Sequence, residues 1–360
     1  GCFYVESPAM RMLLKKLKVD TYLGLVAASS IIRPGVSNSG MMREYILRFT
    51  DPERRQDAHP VLLDIMPDTF GVMVYQEDVI KVAHYFAGLS LGEADVLRRG
   101  MSGKFRSREE FKRVENQYFE NCKARGYSLE LAQDIWRQIE SFAGYAFAKG
   151  HSASYAVESY QSLYLKAHYP LEYMVAVINN FGGFYSTEFY VHEARKLGGI
   201  VEAPCVQQGD YPTVIHGTTI YLGFILLNGL DETIGVTIGR ERQEGGPFSN
   251  LTDFIDRVPI GIEQLSLLIR IGAFRFTDIS KQTLLWEAHH MLKGHKQSAV
   301  PAAAPSLFKG TVSSHDYKVP LLEQSPLERA FDEIELLGFP LADPFLLADE
   351  PMDQGTTAVE

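Results

Sequence analysis

The sequence predicts a mainly α-helical protein, interrupted by one small β-hairpin region and followed by paired short helices. Three observations carry that expectation. Apolar residues recur at helical spacing through most of residues 1 to about 180. β-formers broken by Pro and Gly concentrate between Gly198 and Phe224. From 225 to 295, short helical stretches alternate with Gly-containing turns.

Met10 to Leu17 sets apolar residues beside Lys15, Lys16 and Lys18, the pattern of an amphipathic helix with one basic face. Arg33-Pro34-Gly35 and the Ser- and Asn-rich run to Gly40 break this into a loop. Asp68 to Gly71 reads as a turn, after which Val72 to Ala87 restarts a helix. Ser107 followed by Glu109 and Glu110 reads as an N-cap with acidic first-turn residues, which complement the free amides and the helix dipole. Another amphipathic helix is expected from Leu129 to Phe142. A loop over Gly144 to His151 leads to a helix from Ser154 to His168 that ends before Pro170. Val214-Ile215 and Thr219-Ile220-Tyr221, separated by Gly217, are the arms of the expected hairpin. Gln297 to Pro305 reads as an Ala- and Pro-containing linker, and an acidic tail follows with a last apolar segment from Leu336 to Leu341. The resulting divisions are 1–185, 186–222, 223–295, 296–335 and 336–360.

At 360 residues, 46% apolar and 22% charged, the chain can bury two or three ordinary cores. No apolar run approaches the roughly 18–20 residues of a membrane span, so no membrane partner is expected. Gly1 stands where an initiator Met would, and the start is expected to be that of a piece cut from a longer protein. Cys2, Cys122 and Cys205 form no Cys-x-x-Cys pair, which argues against a disulfide framework or a cysteine-rich zinc site and fits a reducing cytoplasm. The net charge of −10 argues at first against nucleic acid. Its distribution reverses that: Thr311 to Glu360 holds eleven Asp or Glu against two Lys or Arg, so nearly all the excess lies in the tail. Arg98 to Arg113 instead holds seven basic residues against Glu109 and Glu110, a local patch suited to phosphate.

Three stretches carry candidate chemistry, and each has a bland reading beside it. Arg98-Arg99-Gly100-Met101-Ser102-Gly103-Lys104 places three cations where glycines let the backbone approach an anion. It lacks the spacing of a Walker loop, and on these residues alone a solvated basic helix end is the somewhat better reading. Gly144 to Tyr155 brings Lys149, His151, Ser152 and Tyr155 to a helix start, where free amides favour an anion and the ring of Tyr155 could stack on a base. Alternatively Ser152 or Ser154 is an N-cap and the aromatics are core. Leu227 to Thr233, around Gly229 and Leu230, and Leu268 to Phe274, around Gly272, are Gly-containing hairpins that can aim amides at a DNA phosphate, or ordinary helix packing. His84, His192, His289 and His290 have no partner at metal-ligand spacing on this reading, and no Asp-x-Asp pair occurs to hold catalytic ions. No metal site and no catalytic residue is therefore expected within the chain.

These motifs occur in a recognisable order. Phe3-Tyr4-Val5-Glu6-Ser7-Pro8-Ala9-Met10, Arg33-Pro34-Gly35, Gly71-Val72-Met73-Val74-Tyr75-Gln76-Glu77, Ala94-Asp95-Val96-Leu97-Arg98-Arg99, Phe142-Ala143-Gly144-Tyr145, Lys149 with His151-Ser152-Ala153, and Ser159-Tyr160-Gln161 to Pro170 resemble the C-family of bacterial replicative polymerases, the alpha subunit of polymerase III. The resemblance implies a helical fingers domain over 1–185, a β-containing connector over 186–222 and a tandem helix-hairpin-helix DNA-binding domain over 223–295. A linker with a clamp-binding peptide at Leu307 and Phe308 would occupy 296–335, and 336–360 would approach an OB-fold.

The resemblance further implies that Arg98, Arg99, Lys104, Lys149, His151, Ser152 and Tyr155 line a nucleotide site, and that Gly229, Leu230 and Gly272 contact DNA. Expected partners are primer–template DNA, deoxynucleoside triphosphates, a sliding clamp and other replisome subunits in the cytoplasm. The parent enzyme would be a DNA-directed DNA polymerase using Mg2+ held by aspartates upstream, with the chain alone inactive and binding no cofactor itself. Three positions depart from the family pattern: Ala148 and Gly150 flank Lys149 where Asn and Ser are usual, Asp231 replaces a hairpin glycine, and no Gln precedes Leu307-Phe308. A rival reading, favoured by Asp231 and the acidic tail, is a non-catalytic DNA-binding or scaffolding relative built from the same parts. A metal hydrolase is disfavoured by the scattered histidines.

Overall fold

The first helix starts where its side chains dictate. The Ser7 hydroxyl accepts the Met10 N–H at 3.3 Å, and Pro8, with no amide to satisfy, fills the first helical position. A computed structural model describes residues 1–32, 40–101, 108–141, 148–297, 325–343 and 347. It divides into one unit of Cys2–Ala167 and another of Gly1 with His168–Glu360.

In the Cys2–Ala167 unit, α1 (Pro8–Leu17) buries Met10, Leu13 and Leu17 and turns Lys15 and Lys16 outward, as the amphipathic pattern predicts. It packs against α2 (Tyr22–Ile31) and α3 (Met41–Thr50). The next helices are α4 (Pro60–Ile65) and α5 (Gln76–Lys81). The expected helix from Val72 is corrected here: Val72 to Tyr75 is buried, non-helical backbone. The buried Asp78 carboxylate accepts the Val74 and Tyr75 N–H groups, both at 2.9 Å, and so sets the helix start at Gln76. The helix then widens to a π turn over Val82–Phe86, where the Ala87 N–H reaches back to the Val82 carbonyl at 3.2 Å. Gly88 follows at φ +67°, and Arg125 holds this corner by donating to the carbonyls of Tyr85 (2.6 Å) and Phe86 (3.1 Å).

After that corner come α6 (Leu91–Met101), α7 (Arg108–Ala124), α8 (Leu129–Ser141) and α9, which begins at Lys149 and runs on to His168. Ser107 lies outside the described residues, while Glu109 and Glu110 stand in the first turn of α7 as expected. α7 and α8 pair through Tyr118, whose hydroxyl donates to the Ala132 carbonyl at 3.2 Å and whose ring lies 4.9 Å from Trp136. Phe86 stacks on Tyr127 with centroids 4.2 Å apart. The α9 start is a second correction, because the sequence puts Lys149 to His151 in a loop.

In the other unit, α10 (Pro170–Asn179) and α11 (Thr187–Lys196) precede a three-stranded sheet of order β1-β3-β2. β2 (Val214–His216) and β3 (Thr219–Tyr221) form the expected hairpin, with Ile215 opposite Ile220. β1 (Ile200–Glu202), unforeseen as a third strand, lies parallel to β3 with Val201 opposite Ile220. The Asn179 amide brackets Thr213, accepting its N–H at 2.6 Å and donating to its carbonyl at 2.9 Å, which seats the hairpin on α10.

Four helices follow: α12 (Glu232–Gly245), α13 (Leu251–Arg257), α14 (Ile262–Arg270) and α15 (Lys281–Gln297). Their core centres on Phe254, edge-on to Phe248 at 5.0 Å and to Phe274 at 4.8 Å, with Ile238, Leu265 and Leu268 around it. No helix is expected from the sequence after residue 325, yet α16 (Pro326–Leu337) forms there, capped reciprocally by Ser325 and Glu328. α16 is tied to the preceding helices by the Asn228 N–H to the Leu336 carbonyl (2.7 Å) and by Arg270 Nε to Asp332 Oδ1 (2.9 Å). Leu307 and Phe308 lie outside the described residues.

Candidate functional site

Arg98 and Arg99 stand in the last turn of α6, above Ala94 and Leu97, which are fully buried and fix the helix. One carboxylate serves both. Asp95 Oδ1 accepts Arg98 Nε at 3.0 Å and Nη2 at 2.8 Å, while Oδ2 lies 2.9 Å from Arg99 Nε as an ion pair without hydrogen-bond alignment. All three side chains are partly exposed. Lys104 lies outside the described residues.

α9 supplies the second group. Ala148 stands before its first residue and offers no side-chain oxygen; its carbonyl accepts from the amides of His151 and Ser152. The anion at the helix start is Glu77 of α5, whose two carboxylate oxygens lie 3.0 and 2.9 Å from the Lys149 N–H. The Lys149 ammonium sits 3.3 Å from Asp68 and 5.3 Å from the centre of the Tyr75 ring. α5 also packs against α6, the helix that carries Arg98 and Arg99. The His151 ring lies 4.2 Å from that of Tyr155, which meets Phe3 and Tyr4 edge-on at 5.3 and 5.1 Å. Neither Ser152 nor Ser154 is an N-cap: Ser154 Oγ donates to the Gly150 carbonyl at 3.2 Å, and the buried Ser152 Oγ has no hydrogen-bond partner among the described residues.

The hairpins are built differently from one another. At the first, Gly229 adopts φ +83° and its carbonyl accepts Gln264 Nε2 at 2.7 Å, while Gln264 Oε1 accepts the Asp231 N–H at 2.8 Å. The Leu230 N–H donates to the Leu227 carbonyl at 3.2 Å. The amides of Leu230 and Asp231 are thus engaged within the protein. At the second, Gly272 (φ +77°) ends α14: its N–H reaches the Ile269 carbonyl at 3.0 Å and the Ala273 N–H reaches Leu268 at 2.9 Å. That pair of bonds is a Schellman stop, which explains the glycine by helix termination alone.

One histidine reading needs correction. His192 does have a carboxylate at helical spacing, with Nε2 3.8 Å from Glu188 Oε1, because residues four apart share a helix face. A pair is not a metal site, and among the described residues no three His, Cys, Asp or Glu side chains converge as an ion would require. The described residues therefore offer no cluster that fits a bound Mg2+. No described helix is long and apolar enough to cross a membrane.

Sequence reasoning missed Asp95, Glu77, Asp68 and Gln264 as partners of the candidate residues. For Asp95 the signal was present, since it precedes the arginines by three and four positions. Glu77 and Gln264 meet partners 72 and 33 residues away, and no local pattern marks them.

Comparison with known proteins agrees with this architecture. The description of the bacterial DNA polymerase III alpha subunit finger domain matches residues 1–126, and that of a helix-hairpin-helix motif matches residues 198–284. A DNA polymerase III subunit alpha of Treponema pallidum (strain Nichols) is 31% identical over 362 residues, covering 98% of this chain and 30% of the relative. Its counterpart in Staphylococcus aureus (strain MRSA252) is 34% identical over 298 residues, covering 82% of this chain and 28% of the relative. The chain thus spans somewhat under a third of the length of these relatives. By the finger domain, the helix-hairpin-helix motif and relatives aligned along nearly all of it, the chain belongs to the family of bacterial DNA polymerase III alpha subunits.

Proposed function

We propose that the chain works as part of a template-directed DNA polymerase, gripping the incoming deoxynucleoside triphosphate and touching primer–template DNA. The observation that carries this reading is the pair of guanidinium groups at Arg98 and Arg99, fixed by one carboxylate within the stretch that matches the finger domain. Guanidinium forks bind phosphate oxygens two at a time, and fixed cations offset the charge that develops as pyrophosphate departs. Lys104 joins them, with Lys149, His151, Ser152 and Tyr155 lining the site from the start of α9.

Asp68 holds the Lys149 ammonium and Glu77 its amide, so phosphate contact there requires exchanging a carboxylate for a phosphate oxygen. The hairpins at Gly229–Leu230 and Gly272 are proposed to meet the DNA backbone through groups other than the Leu230 and Asp231 amides, which are engaged within the protein. Mg2+ ions, on this reading, are held by aspartates that this chain does not supply. A sliding clamp is the proposed partner of Leu307 and Phe308, alongside other replisome subunits in the cytoplasm.

The test is Arg98→Ala with Arg99→Ala in the polymerase that contains this chain. The nucleotide KM rises and kcat falls, together costing about 10²-fold or more in kcat/KM if two charged phosphate contacts of ~1.5–3 kcal/mol each are lost. Unchanged kinetics would remove the assigned role. For the clamp, equal retention in a pull-down after Leu307→Ala and Phe308→Ala would dispose of that partner.

A further inference from the structure

We infer that Asp95 is a positioning residue for nucleotide binding, holding two consecutive arginines in one phosphate-facing arrangement. The inference rests on the proposed nucleotide role of Arg98 and Arg99. Consecutive side chains on an α-helix diverge by about 100°, so two adjacent arginines do not by themselves converge on one ligand. Residues three and four positions back are helix neighbours of a given side chain. Asp95 is three before Arg98 and four before Arg99, and its carboxylate divides accordingly. Oδ1 takes both Nε and Nη2 of Arg98, and Oδ2 faces Nε of Arg99.

The geometry does two things at once. It binds each guanidinium on its Nε side, drawing both forks toward one side of α6. It also lowers the charge of the cluster from two to one, which by itself weakens attraction for a triphosphate. A purely electrostatic view and a positioning view therefore predict opposite signs when the carboxylate is neutralised. α6 does not depend on Asp95 for its fold, because Ala94 and Leu97 anchor it in the core and Asp95 is partly exposed.

The experiment is steady-state nucleotide incorporation on a saturating primer–template by the full polymerase containing this chain. It compares D95N, D95E, the R98A/R99A double variant, and D95N in the R98A/R99A background. Positioning predicts that D95N raises the nucleotide KM roughly fivefold to tenfold, since a neutral amide holds the two long side chains less firmly and leaves more of their ordering to the ligand. It predicts a smaller fall in kcat, an unchanged melting temperature, partial rescue by D95E, and no further effect of D95N once both arginines are gone. A KM that falls in D95N would assign Asp95 to charge balance alone and overturn the inference. So would an unchanged KM, or an effect that persists without the arginines. If R98A/R99A itself leaves KM unmoved, the nucleotide reading fails first and this inference with it; if only D95N is silent, the inference alone fails.

Discussion

Glu333 is the carboxylate whose removal the structure prices most clearly. It is buried within α16, yet Oε2 accepts the Leu341 N–H at 2.7 Å and the Ala342 N–H at 2.9 Å, while Oε1 meets Arg329 Nε at 3.1 Å. Leu341 is buried, Ala342 half-buried, and the Arg329 side chain 57% exposed. The Arg329 pair is therefore worth little in water, whereas each amide bond to the carboxylate contributes about 1.5–3 kcal/mol. Discounting Ala342, which water can reach, Glu333→Ala should cost this unit roughly 1.5–3 kcal/mol. Releasing the segment instead exposes Phe339 and Leu341, at a comparable ~1.5–3 kcal/mol each, so fraying offers no cheaper route. Glu333→Gln keeps one acceptor oxygen and should lose less.

The chain's two tryptophans, Trp136 and Trp286, fall in different units, so urea unfolding followed by fluorescence in a Trp136→Phe background reads the unit that holds Glu333. A loss below ~1 kcal/mol, with the Leu341 and Ala342 amides still protected from hydrogen exchange, would refute the assignment of the carboxylate as their anchor.

Phe254→Ala removes the ring at the centre of the Phe248–Phe254–Phe274 cluster and should cost about 3–5 kcal/mol in the same urea assay. Gly223→Ala would set a Cβ 2.4 Å from the backbone of Pro212 and Thr213, which cannot yield as a side chain does, so the loss should reach or exceed the ~1–3 kcal/mol of ordinary overpacking. Asp253 is held below the usual carboxylate range first by the Ser249 N–H and then by Arg257. Its folded pKa being depressed, its contribution is present above an ordinary aspartate pKa of about 4 and is lost as pH falls through the lowered value. Asp253→Asn should therefore lower the urea midpoint near neutral pH more than in strong acid, and an equal drop at both would contradict the sign.

Helices whose signals are local were legible. α1, α7 and α8 follow from amphipathic spacing and acidic first turns, and the β2–β3 hairpin follows from β-formers around Gly217. Elements defined by distant partners were not. The start of α5 is set by a carboxylate folding back on Val74 and Tyr75, and the start of α9 by Glu77 across 72 residues, so both starts were misplaced. The third strand needs Val201 to meet Ile220 in parallel, a pairing no alternation of residues reveals. α16 is the instructive case, since Ser325 and Glu328 offer a readable capping box inside the stretch that follows the Ala- and Pro-containing linker and reads as an acidic tail. At the candidate site, residue types and order were legible and helical spacing marked Asp95, but the distant carboxylates Glu77 and Asp68 were not legible.

The bond from Glu77 to the Lys149 amide also bears on the order in which the chain folds. A helix such as α1 carries its own starting signal in Ser7 and can form as soon as its residues are free to coil. α9 has no such neighbour, and its first amide waits for a group 72 residues earlier. Closing that loop costs only about 0.6 kcal/mol more than closing one half as long, so the delay is kinetic rather than thermodynamic. The segment bearing Lys149 and His151 should consequently be among the last parts of its unit to settle after synthesis. A hydrogen-exchange pulse during refolding would find those amides gaining protection after the Met10 amide.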